Sequence, residues 1–238
     1  VIQTGGIRED TLNMSAGKQV SLRRDATDNR RRILEAARAL FVTKGLSPGL
    51  NDVAHHAGVG VATVYRRFPT KSELIHQVYA EALDHCIVKL ESAHRSEDAW
   101  TAMESALISL CEMSASDRGF REMAFEVSGA EFCPAAARER LISVIAAVVE
   151  RAKDQGCIRR DLSHTDIPIL GMLAGSVNDY AGAVAPDLWR RYVVLMLDGV
   201  RRRPAQTHMP ARAFTDAQLN SVLGLCPPGG PQTLRPRG

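Results

Sequence analysis

Residues 55–74 read HHAGVGVATVYRRFPTKSEL. Before this stretch, Leu50, Val53, Ala54 and Ala57 repeat at helical spacing, and within it Val61, Val64, Tyr65 and Phe68 do the same. The sequence therefore predicts two very short helices separated by Gly-Val-Gly. Two helices packed at a steep angle through so short a turn need a small residue where their backbones approach and a position that tolerates unusual dihedrals. Ala54 and Gly58 supply these, and Val59 is placed to plug the angle. Val64 and Phe68 then return the second helix to a core shared with Ile33, Leu40 and Phe41. The pattern is a helix-turn-helix over about 50–69.

With that apolar face used, the second helix is left with Val61, Ala62, Thr63, Tyr65, Arg66 and Arg67 outside. Small residues at its start allow close approach to the floor of a major groove, where methyl groups meet thymine and a threonine hydroxyl reaches a base or phosphate. The long residues at its end suit the DNA backbone: a tyrosine hydroxyl donates to phosphate, and arginines pair with phosphate or a guanine edge. Thr70-Lys-Ser-Glu73 is a capping box that opens the next helix. Its first turn holds Lys71, a cation where the helix dipole disfavours one, which a nearby phosphate would explain. The candidate DNA contacts are Asn51, Gly60, Val61, Ala62, Thr63, Tyr65, Arg66, Arg67 and Lys71.

Charge points the same way. The formal net charge is +3 over 238 residues, yet the segment Arg23 to Lys71 carries ten cations against four anions, so the remainder is net acidic. A cationic block on a near-neutral chain suits a polyanionic partner, although a solvated helix face gives the same count. The five cysteines (Cys86, Cys111, Cys133, Cys157 and Cys226) are scattered and form no Cys-x-x-Cys pair, which argues against a disulfide framework or zinc site. His55 and His56 are adjacent on different faces, and His76, His85 and His94 fall on alternating faces of a helix, so no metal is expected. The longest apolar run, Leu141 to Val149, is about half the ~20 residues a bilayer span needs. No signal-peptide pattern opens the chain, so a cytoplasmic location is expected.

The wider pattern predicts an all-α chain. Residues 1–26 read as a flexible arm and 27–72 as the DNA-binding domain, its first helix running from a cap at Thr27 or Asp28 to Gly45. A larger helical domain over 73–203 begins with a long helix, opened at the Thr70 capping box and carrying an apolar stripe from Leu74 to Leu90. Further helices are predicted over about 97–115, 118–127, 135–154, 164–183 and 187–202. Residues 204–238, rich in proline, glycine and arginine, read as a mostly disordered tail with room for one small helix at 215–224.

The run Ile33 to Phe41, Gly45, the stretch Asp52 to Phe68, and Lys71-Ser-Glu-Leu74 resemble the DNA-binding domain of the TetR family of transcriptional regulators. That resemblance implies a ligand-responsive homodimeric repressor. Two recognition helices enter successive major grooves of a pseudo-palindromic double-stranded operator, and a helical domain binds a small effector that lowers operator affinity. It carries DNA contacts onto Thr63, Tyr65, Arg67 and Lys71. Gly60 and Gly49 stand where the family commonly has hydroxyl residues, and glycine offers no hydroxyl to a phosphate. The patterns 156–162 and 189–201 are similar to one subgroup, which implies that the last two long helices form the dimer. Gly171, Ala174, Gly175, Ala181 and Gly182 suit either that contact or tight packing within one subunit.

Candidate pocket residues for the unknown effector are Trp100, Met103, Leu107, Phe120, Met123, Phe125 and Met172, with Ser176, Asn178 or Asp179 as polar groups. Such a stripe also describes plain core. No nucleophile elbow, phosphate-cradling glycine loop or catalytic carboxylate pair is present, so no enzyme activity and no cofactor are expected. The alternative function is an effector-independent or architectural DNA-binding protein with the same first 70 residues and a filled core.

Overall fold

The computed structural model describes residues 28–125 and 132–222. The arm at 1–26, the cap at Thr27 and the last sixteen residues lie outside the described residues. Those described form ten helices and no strand, the only bridge among them pairing Ile158 with Arg201.

Helix α1 spans 28–44 and buries Ile33, Ala37, Leu40 and Phe41, the face predicted from spacing. Helices α2 (Leu50–Ala57) and α3 (Val61–Arg67) follow, their buried residues Val53, Ala54, Val64 and Phe68 joining the same core. Gly58 ends α2 at φ 63°, the left-handed region that glycine enters without a Cβ penalty. The turn is a Schellman motif: the Val59 N–H donates to the Ala54 carbonyl at 3.1 Å and the Gly58 N–H to that of His55 at 3.2 Å. Arg32 of α1 donates to the Ala57 carbonyl at 2.8 Å, supplying another donor to that helix end.

Helix α4 (Lys71–His94) starts at Thr70, whose Oγ1 accepts the Glu73 N–H at 3.2 Å. It runs from the DNA-binding unit into a bundle of α5 (Ala99–Ser116), α6 (Arg118–Phe125), α7 (Ala135–Asp154), α8 (Asp166–Ala181) and α9 (Leu188–Val200). Helix α5 is central, lying along α8 and touching α4, α7, α6 and α9. The arginine Arg151 pins the far end of α7 to the α4–α5 corner by donating to the carbonyls of His94, Ser96 and Glu97.

Of the small residues in and after α8, Gly171, Ala174 and Gly175 pack within the subunit, whereas Ala181 borders the outer face. Ala174 is fully buried, a Cβ on Gly171 would stand 3.1 Å from Ser114 Oγ, and one on Gly175 would stand 2.8 Å from the Ser114 carbonyl oxygen. These positions let α8 lie close on α5; the outward face of α8 carries larger residues instead.

The segment after α9 also differs from the reading of a tail starting at 204. Arg159 donates to the Thr207 carbonyl at 2.7 Å, Asp161 accepts the Met209 N–H, and Thr165 Oγ1 donates to the Phe214 carbonyl at 2.8 Å. His164 meets Asp216 at 2.7 Å, and α10 (Asp216–Val222) buries Leu219. Composition suggested disorder here because these anchors sit in the α7–α8 connection, about fifty residues away in sequence.

Candidate nucleic-acid interface

The geometry of α3 follows from its one buried residue. Val64 is fully buried and Phe68 closes the core just beyond the helix, so Val61, Ala62, Tyr65, Arg66 and Arg67 are exposed and Thr63 is half-buried. Val61 and Tyr65 are 45% and 47% exposed and lie one helical turn apart, so they share one face of this free surface. Gly60 caps α3 with an extended backbone and no side-chain bond, its carbonyl accepting the Thr63 N–H at 2.8 Å. Asn51 is exposed in the first turn of α2. Lys71 Nζ donates to the Ser47 carbonyl at 3.3 Å, which holds the ammonium beside the α1–α2 loop.

The cationic block divides in two. Arg31 pairs with Glu35, Arg30 donates to Gln77, Arg32 caps α2, and Arg38 pairs with Asp117 at 2.8 Å. These α1 side chains hold the fold. Among the described residues, no carboxylate stands within ion-pair distance of Arg66, Arg67 or Lys71. Arg66, Arg67 and Lys71 thus leave a group of cations without a carboxylate partner at the end of α3 and the start of α4, and Lys44 at the end of α1 is likewise without one.

A second cluster joins this unit to the bundle. Asp117 accepts from the Tyr79 hydroxyl at 3.0 Å and from the Phe120 N–H at 2.9 Å while facing Arg38. Burial, reinforced by the Asp117 charge, pushes the Tyr79 hydroxyl far above its ordinary pKa, so it remains a donor. The rings of Phe41, Tyr79, Phe120 and Phe125 follow one another with centroids 6.1–6.4 Å apart, a continuous aromatic seam from α1 into α6. Neither the Asp117 hub nor its link to Arg38 was among the predicted site residues; no local motif marks a pairing of positions so far apart.

The sequence profile described as "Bacterial regulatory proteins, tetR family" matches residues 33–78, the segment from α1 into α4. Residues 33–78 thus form a tetR-family regulatory segment. An HTH-type transcriptional regulator of Staphylococcus aureus (strain USA300) is 41% identical over 64 residues, 26% of this chain and 35% of that protein. The chain thus spans about a third of the length of the curated relatives it matches. For the bundle the likeness is one of fold. A TetR-family regulator from Agrobacterium tumefaciens superimposes with a TM-score of 0.55 at 18% identity, covering 74% of this chain and 100% of that one. A second, from Rhodococcus RHA1, gives 0.52 at 18% identity over 74% and 98%.

Within the bundle the candidate pocket residues do not gather around one space. Trp100 lies under the Arg201 guanidinium, 4.4 Å from its ring centroid. Met103 and Leu107 are core residues of α5, and Phe120 and Phe125 belong to the aromatic seam. Asn178 donates to the Ala115 carbonyl at 2.8 Å and Asp179 pairs with buried Arg121 at 2.5 Å, so both tie α8 to its neighbours. Met123 borders a cavity between α4 and α7, shared with Tyr79, Leu83, Ile87 and Ala137. Ser176, hydrogen-bonded to the partly buried Met172, instead borders an apolar groove on the outer face of α8 and α9, with Leu173, Tyr180, Tyr192 and Met196. No helix is long and apolar enough to cross a membrane among the described residues.

Proposed function

We propose that this chain is a sequence-specific DNA-binding repressor that acts as a homodimer and releases a pseudo-palindromic operator when a small effector binds its helical domain. The observation that carries the reading is the unpaired cationic and aromatic surface of α3 and the α4 start, projected by the Gly58 turn. Thr63 and Tyr65 read or position on the duplex, with Val61 and Ala62 against thymine methyls. Arg66, Arg67 and Lys71 hold phosphates, and Asn51 and Gly60 border the same surface. The working division is DNA binding by residues 27–72 and effector binding with dimerisation by 73–203. The outer face of α8 and α9 supports the dimer: Leu173, Tyr180, Val184, Tyr192, Val194 and Leu195 are all exposed, and large apolar residues this dense mark a protein contact.

The test is a gel shift of the full chain against DNA from upstream of its own coding region, repeated over a salt series. Lys71→Ala weakens binding to every sequence alike and lowers the salt slope by about one unit, because one fewer counterion is released. Thr63→Ala changes the ranking of operator variants. An unchanged slope removes Lys71 from the phosphate contacts, and an equal loss on all sequences removes Thr63 from base reading.

A further inference from the structure

Among the described residues three charged side chains are buried, Asp117, Arg121 and Glu122, and all three lie in or at the start of the short helix α6. A buried ion pair adds little net stability, because desolvation offsets its attraction, so three such groups on one helix point to the selection of one arrangement. Their partners lie on different elements. Asp117 faces Arg38 of α1 at 2.8 Å, and Glu122 takes the Leu46 N–H of the α1–α2 corner at 2.6 Å. Arg121 turns the other way, donating to the Ser114 carbonyl of α5 at 2.8 Å and pairing with Asp179 of α8 at 2.5 Å. Close packing repeats the pattern: a Cβ on Gly119 would stand 2.9 Å from the Phe41 carbonyl oxygen of α1, and one on Gly175 of α8 would overlap the Arg121 guanidinium. Helix α6 therefore bears on the DNA-binding unit with one side and on α8 with another.

We infer that α6 is a spacer that sets the separation of the two operator half-sites, with Asp117 and Glu122 as positioning residues that act through Arg38 and Leu46. This rests on the homodimeric DNA-binding reading above and supplies its spacing specificity. In a dimer formed on the outer face of α8 and α9, the distance between the two copies of α3 is set by how each DNA-binding unit is held relative to α8. Helix α4 joins that unit to the bundle as a single rod, and a unit tied by one rod can turn about it. The α6 bonds add two anchors, at Arg38 and at Leu46, which remove that freedom. Moving a half-site by one base pair shifts it by about 3.4 Å and turns it by about 35°. A unit held at three points accepts one spacing, and a loosely held one accepts several.

The test measures binding of the full chain, by fluorescence anisotropy, to the pseudo-palindrome it selects from a random-sequence pool, to versions with one base pair added or removed between the half-sites, and to a single half-site. The wild type is expected to lose about tenfold for either spacing change, the order of one mismatched base pair. Arg38→Gln, at a half-exposed position, and Glu122→Gln should each cut that loss to about threefold or less while binding a single half-site within about twofold of the wild type. Asp179→Asn loosens the α8 side and broadens the spacing in the same way. Arg151→Ala, which unpins α7 from the α4–α5 corner, is a variant weakened elsewhere and keeps the preference. A preference that persists in any of the first three variants, or that falls equally in Arg151→Ala, overturns the proposal; should Glu122→Gln not fold, Arg38→Gln and Asp179→Asn decide. A wild type that binds its palindrome but is indifferent to spacing also overturns it and leaves the DNA-binding reading intact, whereas a wild type that selects no palindrome defeats that reading itself.

Discussion

The Glu122 carboxylate accepts the backbone N–H of Leu46 at 2.6 Å, across 76 positions of sequence. Among the described residues, three glycines end helices with positive φ, Gly45, Gly58 and Gly156. After Gly58 and Gly156 the next amide bonds back to its own helix, Val59 to Ala54 and Cys157 to Ala152. After Gly45 the next amide belongs to Leu46 and goes to α6. The α1–α2 corner is therefore capped by the bundle, and the DNA-binding unit does not complete its own core alone. Arg118 holds the same carboxylate at 2.8 Å, so the acceptor is fixed as well as buried.

Replacing that acceptor should be costly. Glu122→Ala leaves the buried Leu46 amide without its charged partner, and a loss of about 1.5–3 kcal/mol is expected. Glu122→Gln, which keeps an acceptor oxygen, should lose less. Urea denaturation of the full chain measures both; equal, negligible shifts of the midpoint would show that the bond contributes nothing to stability.

The two glycines that end α1 and α2 should respond differently to alanine. At Gly58 an added Cβ meets only the Arg32 side-chain tip at 3.4 Å, so Gly58→Ala carries backbone strain of about 1–2 kcal/mol. At Gly45 the Cβ would fall 2.1 Å from Glu122 Oε1, so Gly45→Ala adds loss of the cap to the same strain. A double-mutant cycle with Glu122→Ala isolates that extra cost: the excess of Gly45→Ala over Gly58→Ala should vanish once Glu122 is absent.

High pH should weaken the fold in a defined window. Burial pushes the Cys86 and Cys111 thiols from 9.0 up to about 12, with the Lys89 charge opposing the shift at Cys86. Their neutral forms are favoured by folding, so the contribution is complete below pH 9 and is lost as the pH rises from 9 towards 12, where only the unfolded chain ionises readily. Tyr79, raised for the same reason, adds to the decline above its ordinary 10.0. Denaturation midpoints measured at intervals between pH 8 and 11 should fall, and a Cys86→Ala, Cys111→Ala double variant should show a shallower fall.

The strap after α9 should stabilise the bundle. A chain ended after Arg203 loses the bonds from Arg159 to Thr207, Asp161 to Met209 and Thr165 to Phe214, together with the cover of Leu219. A lower melting temperature than that of the full chain is expected by circular dichroism, with operator affinity unchanged at a temperature where both are folded. An unaltered melting temperature would make the strap a passive appendage.

What could be read in the sequence follows from the range of the forces involved. Gly58, the Thr70 cap and the burial of Val64 and Phe68 depend on neighbours within four or five residues, so periodicity and turn chemistry located them and left α3 outside by subtraction. The Leu46–Glu122 cap, the Asp117 hub and the strap on Asp161 and Thr165 join residues 38 to 79 positions apart, and no local pattern encodes such pairings. The effector candidates dispersed for the same reason. Size and polarity nominated Trp100 and Asn178, but what each touches is set by packing: Arg201 covers the first and the Ala115 carbonyl engages the second. Charge counting erred in a related way, since Arg32 and Arg38 belong to the cationic block yet serve α2 and Asp117.

The account turns on α3 as the element that reads DNA, and selection of bound duplexes from a random-sequence pool by the full chain tests this most directly. The wild type should enrich a pseudo-palindrome whose half-site centres lie about 34–36 Å apart or a multiple of that spacing. Thr63→Ala, Tyr65→Ala and Arg67→Ala should each weaken that enrichment, with Thr63→Ala relaxing the preferred base at one position of each half-site. Enrichment of no motif, or of the same motif with undiminished strength by all three variants, would contradict it.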